Sequence, residues 1–245
     1  AEVLGMAIGI QLLTGLPLVW GVSITVLDTF LLLFLQRLGI RKMEAFIITL
    51  VGVIGISFLV QVLLASPPVG ELAMGFIPGK MSEEALYIAI GIIGATVMPH
   101  NLYLHSALVQ TRKIDRSDAG IRQAIKFNRI DTTIALNLAF FVNAAILIVA
   151  ATVFFKTGNS QVAEIKEAHR LLPSFLGNVA PVLFAVALIA SGQSSTVTGT
   201  LAGQIIMEGY LSLRINPMLR RLITRLVAII PALVVIIVYG ENNVD

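Results

Sequence analysis

Met98-Pro99-His100-Asn101 sets a thioether, an imidazole and an amide beside a proline in the middle of an apolar stretch. Ala85–Val97 precedes these four residues and Leu102–Val109 follows them, in all about the length that crosses a bilayer. Proline inside a helix removes a hydrogen bond and presses on the carbonyl one turn earlier. Histidine and asparagine at membrane depth need partners. The pattern predicts a membrane helix that unwinds near Ala95–His100. Freed carbonyls there suit a cation, and the N-terminus of the second half, near Asn101, suits an anion. Met98 adds a soft sulfur, and a soft donor beside oxygen and nitrogen favours Mn, Fe, Co or Cd over Ca and Mg. The competing reading of Met98 is gap-filling packing. His100 has the chemistry of a proton carrier; its competing reading is a satisfied core residue. His105 lies five residues further on, about 140° around the helix, so the two rings do not chelate one ion from one face. The spacing is also not that of a zinc-protease helix.

Three more charged residues bear on proton movement. Glu2 is followed by apolar residues for several turns, and a helix continuing upstream would bury it in the membrane, where carboxylates mark ion or proton paths. Arg220 and Arg221 open the last apolar segment; they read either as topology charges or as partners for such carboxylates. Asp28 and Asp131 lie toward segment ends and read as interfacial or structural. Gln61, Asn137 and Asn143 are expected to bond between helices. The pairs Gly5/Gly9 and Gly199/Gly203 are expected to allow close helix packing.

These residues need elements to hold them. The 245-residue chain is 57% hydrophobic and 13% charged, where a soluble domain carries roughly 25% charged residues. That balance predicts an all-α polytopic membrane protein. Seven apolar segments can be marked, at about 1–14, 17–35, 45–65, 85–109, 130–155, 175–203 and 222–239, in a single transmembrane domain. Thirteen of the seventeen lysines and arginines fall in loops 36–44, 110–129 and 210–225. Those three alternate loops are therefore expected to face the cytoplasm, and the basic balance reflects topology, with no nucleic-acid partner. The broken helix then enters from outside. Cysteine is absent, which excludes disulfides and thiolate metal sites.

The same residues resemble a known family. Ala95-Thr-Val-Met-Pro-His-Asn101 with Leu102-Tyr-Leu-His-Ser106 is similar to the sixth transmembrane helix of the Nramp family of proton-coupled divalent metal transporters. The long run from Gly192 to Gly209 resembles that family's signature in and after the eighth helix. Ala1–Gly5 resembles its third helix and Leu27–Phe30 its fourth, so the likeness runs over the whole chain.

The resemblance implies a LeuT-like fold of two inverted five-helix repeats, of which this chain would hold about helices three to nine. The first helix would carry a D-P-G-N motif that does not occur here, so the chain would carry half a metal site and would not transport alone. The resemblance implies that Met98 ligates the metal through sulfur and Ala95 through its backbone carbonyl. It places Glu2, His100, Arg220 and Arg221 on the proton pathway, and His105 and Asn101 in gating or pH dependence. It implies symport of Mn²⁺ or Fe²⁺ with H⁺ by alternating access in the inner membrane of a bacterium, with metal and proton as cargo and no resident cofactor. The alternative is a LeuT-like carrier of Mg²⁺ or an amino acid. An enzyme is disfavoured, because no nucleophile–base pair or chelating set stands out.

Overall fold

The computed structural model describes residues 2–27, 31, 34–35, 38–77, 79–159, 162, 164–210 and 217–239. Asp28 lies outside the described residues, as do the side chains of His100, Arg220 and Arg221. The described secondary structure is helical: α1 Glu2–Thr14, α2 Leu18–Ile24, α3 Ile40–Ala65, α4 Val69–Met74, α5 Glu83–Thr96, α6 Pro99–Gln110, α7 Asp118–Ala150, α8 Ile165–Leu176, α9 Val179–Tyr210 and α10 Pro217–Tyr239. A π-helical turn, Ala151–Phe155, extends α7. Among the described residues, four stretches are long and apolar enough to cross a membrane: Arg41–Ala65, Glu83–Gln110, Asp118–Phe155 and Val179–Met207. The pair α1 and α2 meets the same test together, bent by 120°.

Local chemistry sets the ends of these helices. Ser117 caps α7, its hydroxyl oxygen accepting from Gly120 N–H at 3.1 Å. The same hydroxyl donates to Asp115 at 2.8 Å, and its backbone N–H also bonds that carboxylate at 3.1 Å. These bonds hold the Asp115 carboxyl below its usual value, the backbone bond most strongly. Ser66 ends α3 in the left-handed region, φ 44°, just before Pro67-Pro68, which cannot continue a helix. Gly177, φ 78°, ends α8 and turns the chain into α9. Phe175, expected to begin the long span, therefore belongs to α8, which lies beneath it and buries Leu172 and Leu176 against Val149, Val153 and Ala180.

The long helix α9 is the hub. It packs on α1, α3, α6, α8 and α10. It runs antiparallel to α3, since Phe58 meets Phe184 edge-on at 6.5 Å while Met43 clusters with Val197. It also runs antiparallel to α1, and there the backbones nearly touch. A Cβ added at Gly192 would lie 2.6 Å from Met6 Cβ and 2.9 Å from Met6 Cα; one added at Gly9 would lie 3.0 Å from Ile189 N and 3.2 Å from Ala185 O. Gly21 approaches the Ala7 carbonyl oxygen in the same way, at 2.9 Å, which seats α2 on α1. Lipid tails are as apolar as leucine, so helices in a membrane associate through such close van der Waals contact.

Close approach falls on a different set of glycines from the expected pairs. Of Gly5/Gly9 only Gly9 is used, and Gly199 has open space around it. The spacing of small residues is local, whereas the partner that needs the space lies elsewhere in the chain. The expected interhelical amides also behave differently. Gln61 Nε2 donates to Ser57 O at 3.3 Å and Asn137 Nδ2 to Thr133 O at 2.8 Å, each within its own helix. Asn143 is exposed. A carbonyl one turn back is always within reach of a helical amide, so it wins where no neighbouring helix offers a better acceptor.

Gly192→Val should lower the thermal unfolding midpoint in detergent, with overpacking of about 1–3 kcal/mol or more. Gly199→Val should leave it nearly unchanged. Equal midpoints for both variants would refute the close approach at Gly192.

Candidate functional site

Ser82 caps α5, accepting from Ala85 N–H at 3.2 Å, with Glu83 and Glu84 in the first turn, where the helix dipole favours acids. The helix runs to Thr96, and Val97 N–H closes its last bond to Ile93 O at 2.9 Å. Val97 and Met98 are extended (φ −85°, ψ 88° and φ −92°, ψ 107°), and α6 begins at Pro99. Proline suits this first helical position, where its missing N–H would be unpaired in any case. Asn101 N–H returns to Met98 O at 3.0 Å and starts the second half. The break is thus two residues long, narrower than the stretch Ala95–His100 expected from sequence. Proline is compatible with helix on its C-terminal side and incompatible on its N-terminal side.

The break leaves specific groups free. In a continuous helix the Ala95 carbonyl would accept from the N–H of residue 99, and Pro99 has none. Ala95, Thr96, Val97 and Met98 are all exposed, so this face is open. Met98 Sδ sits 3.9 Å from Asn101 Nδ2, a weak contact that holds the sulfur beside the amide at the start of α6. The oxygen of Ala95 and the sulfur of Met98 therefore belong to one short unwound stretch. Thr96 Oγ1 is directed away from it, donating to Ile92 O at 2.9 Å.

The two halves of the broken helix are supported unequally. Half-helix α6 packs on α9 and buries Leu104. Half-helix α5 has no buried residue. Beyond α6, Arg112 bonds Asp131 of α7 at 3.1 Å, an exposed ion pair. Asp131 thus takes the structural part expected of it. On the opposite side of the α7 span, Lys156 pairs with Glu71 of α4.

Of the other predicted site residues, His100 adjoins the break in the chain, and Glu2, Arg220 and Arg221 lie on other helices. Glu2 lies half-buried in the first turn of α1. The antiparallel register set by Met6–Gly192 brings it level with Thr196 of α9. His100 is in the first turn of α6 by its backbone. His105 is exposed on α6. Arg220 and Arg221 are in the first turns of α10 by their backbone. No group of three or more His, Asp or Glu able to hold a metal ion occurs among the described residues. A cation at the break would meet the sulfur of Met98 and the carbonyl of Ala95.

Within the run Gly192–Gly209, α9 carries a polar seam to which sequence alone assigns no role. Gln193, Thr196, Thr200 and Gln204 are buried and share one helical face by their spacing. Gln193 Nε2 and Gln204 Nε2 are buried without a hydrogen-bond partner in this structure. The signal was present as the run of Gln, Ser and Thr between Gly192 and Gln204, but its burial depends on α1, α3 and α6 closing over it.

His169, which the sequence did not single out, lies on α8 outside the spans, its ring 6.3 Å from that of Phe184. Burial holds its pKa below the usual 6.5, outweighing a backbone hydrogen bond at Pro181 that acts in the other direction.

The family described as natural resistance-associated macrophage protein-like (Nramp) matches residues 1–245. A divalent metal cation transporter, MntH, of Bradyrhizobium diazoefficiens is 57% identical over 247 residues, covering 99% of this chain and 55% of that protein. The MntH of Nostoc sp. is 56% identical, covering 99% of this chain and 56% of its own length. The MntH of Listeria innocua is 51% identical, covering 100% of this chain and 56% of its own length. The chain therefore spans about half the length of these relatives. Among solved structures, the Eremococcus coleocola manganese transporter in complex with an aromatic bis-isothiourea substituted compound superposes with a TM-score of 0.89 at 44% identity, covering 98% of this chain and 53% of that one.

A prediction follows for His169. Its folded pKa is depressed, so the unfolded chain takes up the proton first as pH falls. The stability contributed by the neutral ring is present above about pH 6.5 and is lost as pH falls through that value toward the folded one. His169→Phe should reduce the drop in melting temperature between pH 7.5 and pH 5.5. An unchanged drop would show that burial of this ring is not the cause.

Proposed function

The chain belongs to the Nramp family, and from that premise we propose that it forms part of a multi-pass membrane transporter that moves Mn²⁺ or Fe²⁺ together with H⁺ by alternating access. Nramp proteins are transporters rather than enzymes, and their solved structures share the LeuT-like, all-α architecture. The observation that carries the proposal is the two-residue break at Val97-Met98, which leaves the Ala95 carbonyl and the Met98 sulfur on one exposed stretch. A carbonyl binds any cation, but a thioether discriminates for soft, polarisable ones. That contrast disfavours Mg²⁺ as cargo. An amino-acid carboxylate would instead call for backbone N–H groups.

In this reading Met98 and Ala95 are metal ligands, and Asn101 steadies the sulfur. A carbonyl and a thioether leave the charge of a divalent ion uncompensated, so the ligand set calls for a carboxylate as well. His100 and Glu2 take part in proton movement, with Arg220 and Arg221 toward its cytoplasmic end, and His105 acts in gating or pH dependence. Loops 36–44, 110–129 and 210–225 face the cytoplasm, and the membrane is the bacterial inner membrane. Metal and proton are the cargo, and no resident cofactor is required.

The test is Mn²⁺ uptake by the full-length protein in liposomes, with and without an inward proton gradient. Uptake stimulated by the gradient is expected, and the absence of metal flux would refute the proposal. Met98→Ala should reduce the preference for Mn²⁺ or Cd²⁺ over Ca²⁺ roughly tenfold, about 1.4 kcal/mol. Equal loss for soft and hard ions would exclude selection by the thioether.

His100→Gln should alter the pH profile of uptake more than the concentration of Mn²⁺ giving half-maximal rate. A profile unchanged in both position and height would remove His100 from the proton path.

A further inference from the structure

The span Asp118–Phe155 has 38 residues, about 55 Å of helix, whereas the hydrocarbon core is about 30 Å thick. The apolar segment 130–155 is about 39 Å long, enough to cross the hydrocarbon with a tilt, which puts the boundary close to residue 130. The two turns before it therefore lie at or just beyond headgroup depth, within reach of the headgroups for long side chains. Arg122, Lys126 and Arg129 are in those turns, and all three are exposed.

Their spacing is i, i+4 and i+7, which places them within about 60° of one another on the helix. The side of α7 that faces the rest of the chain is marked by the half-buried Ala124, Asn128, Thr132 and Val142, with Val142 packed toward Gly55 of α3. At about 100° per residue, the basic stripe is centred about 135° around the helix from that side. Higher on the same side as the stripe are Leu136, Phe140 and Leu147, each more than half exposed. One helix face thus changes from basic to apolar at the depth where a membrane changes from headgroup to hydrocarbon. Exposed Ile121 and Ile125 border the stripe.

The stripe is also electrostatically unspent. No carboxylate forms an ion pair with Arg122, Lys126 or Arg129 among the described residues. Asp118, one turn below, is exposed and forms no described pair with Arg122. Asp131 is already held by Arg112 on another side of the helix. Long basic side chains beside apolar surface can lay their stems on the acyl boundary while the charge reaches phosphate.

We propose that Arg122, Lys126 and Arg129 form a binding site for the headgroups of anionic phospholipids on the outer side of α7. Two guanidinium forks and an ammonium on one face can hold phosphate oxygens of one or two lipids, with acyl chains running along Leu136, Phe140 and Leu147. The site rests on Asp118–Phe155 being a membrane span. It does not depend on which ion is carried.

The test uses the full-length protein in nanodiscs containing phosphatidylcholine and phosphatidylglycerol in equal parts. After mild detergent extraction, native mass spectrometry counts the lipids that remain bound. The wild type should retain phosphatidylglycerol in preference to phosphatidylcholine, and retention should fall with added salt. The variant Arg122→Gln/Lys126→Gln/Arg129→Gln should bind phosphatidylglycerol roughly tenfold more weakly. Lys80→Gln, which removes an exposed charge elsewhere, should bind as wild type does. Should the triple variant not fold, Lys126→Gln alone is expected to lose part of the retention. Equal retention of the two lipids by wild type, or undiminished retention by the variants, would overturn the proposal. So would a Lys126 amine unreactive to acylation in detergent free of anionic lipid, since that would mean protein covers the stripe. Metal uptake is read separately, so failure here is distinguishable from failure of the transport reading.

Discussion

A peptide carbonyl at membrane depth has few partners beyond the helix that carries it. Pro99 takes that partner from Ala95, because it has no N–H to offer one turn later. The structure does not repair this. It ends α5 at Thr96, lets Val97 and Met98 run extended, and restarts the helix on the proline. An unbonded carbonyl is tolerated in a membrane only where it lines a cavity or meets a ligand, so the rest of the molecule must hold this stretch open.

The helix α9 does most of the holding. Its backbone meets that of α1 at Gly192 and Gly9, a contact only residues without a side chain permit. With α1, α3 and α10 gathered around it, α9 presents a fixed surface on which α6 rests. The second half of the broken helix is thus tied to the packed part of the chain, and the Arg112–Asp131 pair links its end to α7. The first half is not tied in this way. The two extended residues join a half-helix that packs on α9 to one that buries no residue within this chain.

Much of this was legible in the residues. The break could be read from Met98-Pro99 within an apolar run, since proline chemistry is local. The membrane class followed from composition, and the Nramp resemblance from the Ala95–Ser106 and Gly192–Gly209 blocks, which the comparisons with known proteins then matched over residues 1–245. The packing glycines were not legible. Gly199 has the spacing of a packing residue and touches nothing, whereas Gly192 and Gly21 do the work without that spacing. Gln61 and Asn137 looked like interhelical bonds and turned out to bond one turn back on their own helices.

Residue types and their covalent limits decided what the chain contains: a helix that must break at Pro99, a sulfur and a carbonyl at the break, and spans too apolar for water. Each follows from a property of one residue or its near neighbours. Tertiary structure decided where those pieces stand. It brought Glu2 level with Thr196 of α9, rested α6 on α9 while α5 buries no residue within this chain, and left Arg122, Lys126 and Arg129 exposed on α7. Such facts depend on which distant helix lies against which face, and contacts between residues far apart in sequence leave no periodic trace in it.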